Sequence, residues 1–152
     1  MSAQYRAAII GHTGQGDYGH GLDIVYDDIP EVEVVAVADP DAEGLAAARE
    51  RIGAANAYVD YREMLEREEF DLVNVCPRVV TPHAAMVIAA AEAGARGIFC
   101  EKPLAASLLE ADAMMAACTA RNVKVAVAHR RANPYEQYGK KLIDEGMIGQ
   151  LQ

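Results

Sequence analysis

Long runs of basic residues are missing from this chain. No cluster of lysine or arginine exceeds a pair, and 14 basic side chains stand against 23 acidic ones, for a formal charge of −9. Affinity for a phosphate backbone rests on a basic footprint, so DNA and RNA are excluded as partners. A long apolar run is missing too. The longest stretch of small apolar residues, Ala84 to Ala91, is too short to span a bilayer, and the opening MSAQYRAAII has no charged segment followed by a long apolar one. A membrane partner is therefore not expected, and the cytoplasm is the expected location. Cysteine is scarce: Cys76, Cys100 and Cys118 form neither a CxxC nor any short metal-ligand spacing. An odd count without a signal peptide implies reduced thiols, read here as small buried side chains. Repeats, linkers and low-complexity tracts are absent as well.

What is present is an ordinary globular composition, 52% hydrophobic and 24% charged over 152 residues, at a length that suits one domain and leaves no room for a second. Short runs rich in Val and Ile recur: Ala7 to Ile10, Val32 to Ala38, Leu72 to Cys76, Ile98 to Cys100 and Val123 to Ala128 read as strands. Helix punctuation lies between them. Asp39-Pro40 opens AEGLAAARERI with Gly53 after it, and Thr81-Pro82 opens HAAMVIAAAEA with Gly94 after it. Ser107 and Glu110 have capping-box spacing, and a last helix runs from about Pro134 to Glu145 before Gly146. Regular alternation of strand and helix predicts an α/β fold, a Rossmann-type doubly wound parallel sheet in a single domain. Ligands of such sheets sit outside the carboxyl ends of the strands, so chemistry is expected in the loops GHTG, ADPD, CPRV, CEKP and AHRR.

The first of these loops, GHTGQGDYGHGLD, holds five glycines in thirteen residues. It offers two registers of the GxGxxG fingerprint. In one, Gly11, Thr13 and Gly16 take the three positions, with threonine replacing the middle glycine; in the other, Gly14, Gly16 and Gly19 match literally. The first starts directly after the strand, where the fingerprint needs its tight turn, and is preferred. Gly14 and Gln15 are then expected to present backbone N–H groups to a diphosphate at the start of a short first helix, the site of Tyr18 and Tyr26 as packing residues. Asp39 closes the second strand about twenty residues on. An acid there accepts hydrogen bonds from adenosine ribose hydroxyls and repels a 2′-phosphate, and its neighbours are Pro40 and Asp41 rather than a base, so NAD is favoured over NADP. Asp39 as the cap of the following helix is the plainer alternative. His12, Asp17, His20 and Asp23 do not fall on one face of a regular element, and no metal site is expected.

The loop CEKPLA, Cys100 to Ala105, is the most specific stretch. Together with the glycine loop, VADPD, FDLVNVCP, His83 before AAEAG, and His129-Arg130-Arg131-Ala132-Asn133-Pro134, it makes the chain resemble the glucose-fructose oxidoreductase, inositol dehydrogenase and rhizopine-catabolism (Gfo/Idh/MocA) family of NAD(P)-dependent oxidoreductases. The resemblance covers essentially the whole chain. It implies that Glu101 touches the nicotinamide ribose, that Lys102 is the catalytic lysine beside the nicotinamide and the substrate carbinol, and that Pro103 often follows a cis bond. It also places Arg130 and Arg131 near nicotinamide and substrate, and Cys76, Pro77, Arg78, His83 and His129 near the cofactor. Cys76, Arg78 and His129 depart from the family's Thr, Asn and Asn. In chemical terms, hydride transfer needs the substrate C–H held against the nicotinamide and a group that takes the hydroxyl proton, a role a lysine at this point fills.

The resemblance further implies a sugar or polyol substrate and a second, α+β domain that is absent here, residues 1–146 forming the dinucleotide-binding domain and 147–152 the start of a junction. Without that domain, turnover is not expected, and apolar surface left uncovered would favour a homo-oligomer. Two alternatives keep the cofactor: a stand-alone NAD-binding or sensing module, and a lyase or glycosidase that uses transient oxidation.

Overall fold

The computed structural model describes residues 5–129, 134–147 and 149. Six strands form one all-parallel sheet in the order β3-β2-β1-β4-β5-β6. The elements in chain order are β1 (Tyr5–Ile10), β2 (Val32–Ala38), α1 (Ala42–Ile52), β3 (Asn56–Tyr58), α2 (Tyr61–Arg67), β4 (Leu72–Val75), α3 (His83–Glu92), β5 (Gly97–Cys100), α4 (Leu108–Ala120), β6 (Lys124–Val127) and α5 (Pro134–Asp144). The Rossmann-type sheet expected from the alternation is therefore present. β3 and α2 were not anticipated, because three residues of edge strand and seven of helix are too short to show a period.

Both faces of the central strands are buried. Ala8 and Ile10 of β1 join Met64, Val73, Val75, Val87, Ala90 and Met114 in a core beneath α2, α3 and α4. Ile9, between them in sequence, packs on the other face with Val37, Tyr18, Leu22 and Ala48 of α1. Alternation of direction along a strand thus divides one apolar run between two cores. Caps set the helix starts. Asp41, not Asp39, accepts from Gly44 N–H at 2.7 Å ahead of α1, and Asp60 does the same for α2 through Arg62 N–H. The Ser107 cap before α4 is as expected, with Glu110 reaching back to Ala106 N–H. α3 starts at Pro82 without a side-chain cap.

The short first helix expected after β1 is absent. Residues 11–31 run as successive turns, because Gly14, Gly16, Gly19 and Gly21 together with Asp17 all have positive φ, which a right-handed helix excludes. Contacts with β4 and α1 help tie this segment down. Buried Asn74 of β4 donates to Leu22 O and accepts from Tyr26 Oη, both at 2.7 Å. Buried Asp23 takes Arg51 of α1 at 2.6 and 2.8 Å. The Arg51 guanidinium in turn lies 5.0 Å above the Tyr18 ring, which also packs against Gly11.

Register brings the site together. Ile10 pairs with both Ala38 and Val75, Val75 pairs with Cys100, and Cys100 with Val127, so five strands end level. The loops beginning at Gly11, Asp39, Cys76, Glu101 and Ala128 leave from one edge of the sheet, as the topology of a doubly wound fold demands. No described helix is long and apolar enough to cross a membrane.

Candidate cofactor site

The glycine loop is a closed turn. His12 N–H donates to Asp17 O, and Gln15 and Asp17 N–H both donate to His12 O at 2.9 and 3.1 Å. Asp17, at positive φ, returns its carboxylate to Gly14 N–H at 2.9 Å. The N–H groups of Gly14 and Gln15, expected to face a diphosphate, are thus engaged inside the loop. Gly16 N–H has no acceptor among the described residues. Glycines of both registers make close approaches. Gly11 has the Tyr18 ring against its α-carbon; a Cβ on Gly16 would sit 2.5 Å from Arg78 N, and one on Gly19 would sit 2.5 Å from Cys76 O and Glu101 Oε2. Gly14 is open on its outer side.

Thr13, at the fingerprint's middle position, turns toward β2. Its N–H bridges both oxygens of Asp39 at 3.1 and 3.0 Å, and its hydroxyl donates to Oδ2 at 2.8 Å. Asp41 N–H completes Oδ1 at 2.9 Å, and the Asp39 carboxylate has no exposed surface. Beside it the buried Tyr18 hydroxyl has no hydrogen-bond partner; burial, then the Asp39 charge, push its pKa well up. A cavity of about 310 Å³ lies over Gly11, Ala38 and Asp39, walled by Val59, Tyr61, Arg62 and Met86.

At the other end of the edge, Glu101 has no exposure either. Its Oε2 accepts from His20 N–H at 2.9 Å and lies 2.8 Å from the His20 ring Nδ1, while Oε1 accepts from Lys102 N–H at 2.9 Å. Burial alone would raise the Glu101 pKa, but the ring bond, the two N–H groups and the His20 charge together hold it below its ordinary value. Lys102 is exposed, precedes a cis bond to Pro103, and lines a cavity of about 370 Å³ with His20, Ala128 and His129. His83 is fully buried, with Nε2 2.7 Å from Pro77 O and Nδ1 3.0 Å from Pro103 O, and so joins the loops after β4 and β5. Cys76 is buried, its N–H on Ile10 O, and burial pushes its thiol pKa well up, so no thiolate is offered there. Arg78 is exposed, with its backbone against Gly16 and Val79 N–H on Gln15 O. Arg130 and Arg131 lie outside the described residues.

His20 is the site residue that sequence reasoning missed. Its place in the sequence argues only against a metal ligand, yet Gly19 packs so closely on Glu101 that the next residue's N–H and ring fall on the same carboxylate. Nothing local signals that contact, because the partners are 81 positions apart. Among the described residues no three His, Cys, Asp or Glu side chains gather as a metal site.

The family described as an oxidoreductase family with an NAD-binding Rossmann fold matches residues 5–129. This chain belongs to that family. D-apiose dehydrogenase of Paraburkholderia graminis is 37% identical over 123 residues, which is 80% of this chain and 32% of that protein. The crystal structure of myo-inositol 2-dehydrogenase from Lactobacillus plantarum superposes with a TM-score of 0.80 at 33% identity, over 97% of this chain and 43% of that one. An oxidoreductase from Agrobacterium radiobacter in complex with NAD+, L-tartaric acid and magnesium gives 0.80 at 25% identity, over 97% and 42%. The chain thus spans about a third of the length of its curated relatives. Within the family, the residues present here fit a dinucleotide: an open face at Gly14, an unused N–H at Gly16, and an acid under each end of the edge.

Proposed function

We propose that residues 1–146 form the cofactor-binding unit of a dehydrogenase that oxidises a sugar or polyol hydroxyl, with NAD preferred to NADP. The observation that carries the redox part is Lys102, exposed at the carboxyl end of β5 on a cavity shared with His20 and His129. Bound NAD+ supplies the hydride acceptor. Lys102 takes the hydroxyl proton as the carbinol C–H bond breaks, Glu101 fixes the Lys102 backbone, and His83 lies between the Pro103 and Pro77 carbonyls beneath both loops, donating to one of them. The preference for NAD rests on charge. Asp39 and Asp60 line the adenosine end, and the Arg62 guanidinium there is directed to the Tyr61 ring, 4.5 Å away, and to Asp60 at 4.0 Å. A 2′-phosphate meets net negative charge in that position. The relatives named above as dehydrogenases lend no weight to a non-catalytic sensing module.

Calorimetric titration with NAD+ and NADP+ tests the cofactor reading. NAD+ is expected to bind more tightly, and Asp39→Ala to narrow the gap; binding of neither by the wild type overturns the reading. For the redox reading, Lys102→Ala is expected to keep NAD+ affinity within about twofold while lowering turnover of the full-length enzyme by at least about a hundredfold. A large loss of affinity with turnover intact would remove Lys102 from its role.

A further inference from the structure

We propose that Thr13 sets how strongly this domain discriminates NAD from NADP, by holding Asp39 closed until an adenosine ribose takes its place. The inference rests on the reading of Asp39 as the ribose acid. A carboxylate has about four lone-pair sites, and Asp39 already receives four bonds: two from the Thr13 N–H shared between its oxygens, one from the Thr13 hydroxyl and one from Asp41 N–H. With no surface exposed, it has no position left for a ribose hydroxyl. A glycine at this place in the fingerprint would bring only its N–H. Threonine adds a hydroxyl that competes for Oδ2, the oxygen nearest to it.

The closed arrangement has a socket. Gly44, in the first turn of α1, carries no side chain at the point where a Cβ would run into Thr13 Oγ1, Cβ and Cγ2. Thr13 is therefore seated against α1 as well as bonded to β2. The arrangement also has a replacement donor, since the buried Tyr18 hydroxyl lies beside the same carboxylate with its own hydrogen bond unmade. When Thr13 turns out, Tyr18 and one ribose hydroxyl together restore what Asp39 loses. A 2′-phosphate obtains nothing from the exchange, because it faces the carboxylate with like charge. Release of Thr13 thus favours NAD alone, and discrimination is a property of the Thr13–Asp39 pair rather than of Asp39 by itself.

Two substitutions test this by different routes. Thr13→Val keeps the shape and removes the hydroxyl, whereas Gly44→Ala keeps the hydroxyl and fills the socket. By calorimetry each is expected to raise NAD+ affinity about tenfold, equivalent to about 1.4 kcal/mol, with NADP+ affinity changed by less than about twofold; Thr13→Ser should bind both as the wild type does. In thermal melts, Thr13→Val should unfold earlier without ligand yet show a larger upward shift with saturating NAD+. Unchanged or weaker NAD+ binding in both substituted proteins, or an equal gain for NAD+ and NADP+, overturns the proposal. Failure of the wild type to bind either nucleotide overturns the cofactor reading instead.

Discussion

Gly16→Ala is expected to lower the stability of this domain by about 3 kcal/mol and to remove measurable dinucleotide binding. Two costs add. The φ of +88° lies in the left-handed region, where a side chain costs about 1 kcal/mol. The new Cβ would also sit 2.5 Å from Arg78 N and 2.8 Å from Arg78 Cα. Both are backbone atoms, and the adjoining Val79 N–H is itself bonded to Gln15 O at 3.1 Å, so the loop after β4 cannot withdraw without breaking a bond. Overpacking of this kind costs about 2 kcal/mol. Gly14→Ala supplies the comparison, because its φ is +81° but its Cβ would meet nothing within 4 Å. It should lose only about 1 kcal/mol. Urea unfolding at constant m-value measures both, and equal losses would show that the Gly16–Arg78 approach is unimportant.

The second large effect is expected at Glu101. Its folded pKa is depressed below the ordinary value near 4.5, so the bonds to the ionised carboxylate stabilise the fold above that value and are lost as pH falls through the folded pKa. In Glu101→Gln, an amide replaces two acceptor oxygens with one acceptor and one donor, while three donors still point at the site from His20 N, His20 Nδ1 and Lys102 N. At least one buried group is left unmatched, and the loss at pH 7 should be about 2–4 kcal/mol. The difference between wild type and Glu101→Gln should then shrink as the pH drops below about 4.5. Asp71 is depressed as well, through Arg6 N–H first and then the Arg96 guanidinium, but it contributes equally to both proteins. Unfolding curves that stay parallel from pH 7 to acid would show that the Glu101 charge is not what the His20 and Lys102 contacts stabilise.

Much of the architecture was legible. The runs at β1, β2, β4 and β5 send apolar side chains to both faces, which distinguishes buried parallel strands from half-solvated ones, whereas edge strand β6 is largely exposed. Ser107 and Gly53 act locally, through one side chain or one left-handed residue, and behave as their residue types dictate. The failures share a cause. The fingerprint predicts a helix after β1, but the density of glycines that makes the loop recognisable also keeps it in turns. Asp39-Pro40 suggests a helix cap, but Asp41 two residues later takes that place because its backbone, not that of Asp39, stands one position before α1. His20 carries no local signal because its partner is remote in the chain.

By itself, the amino-acid sequence determined the parallel α/β character of the sheet, five of its six strands, and which loops hold acids, glycines and a lysine, since apolar periodicity and turn chemistry act over a few residues. Family membership follows from those same motifs in order. Only the tertiary structure decided how the acids are occupied. Thr13 lies 26 positions from Asp39 and His20 lies 81 from Glu101, yet one short loop covers both carboxylates and leaves neither exposed. Whether a buried acid has a free lone pair depends on which donors surround it in space, and level strand ends bring those donors together from distant parts of the chain.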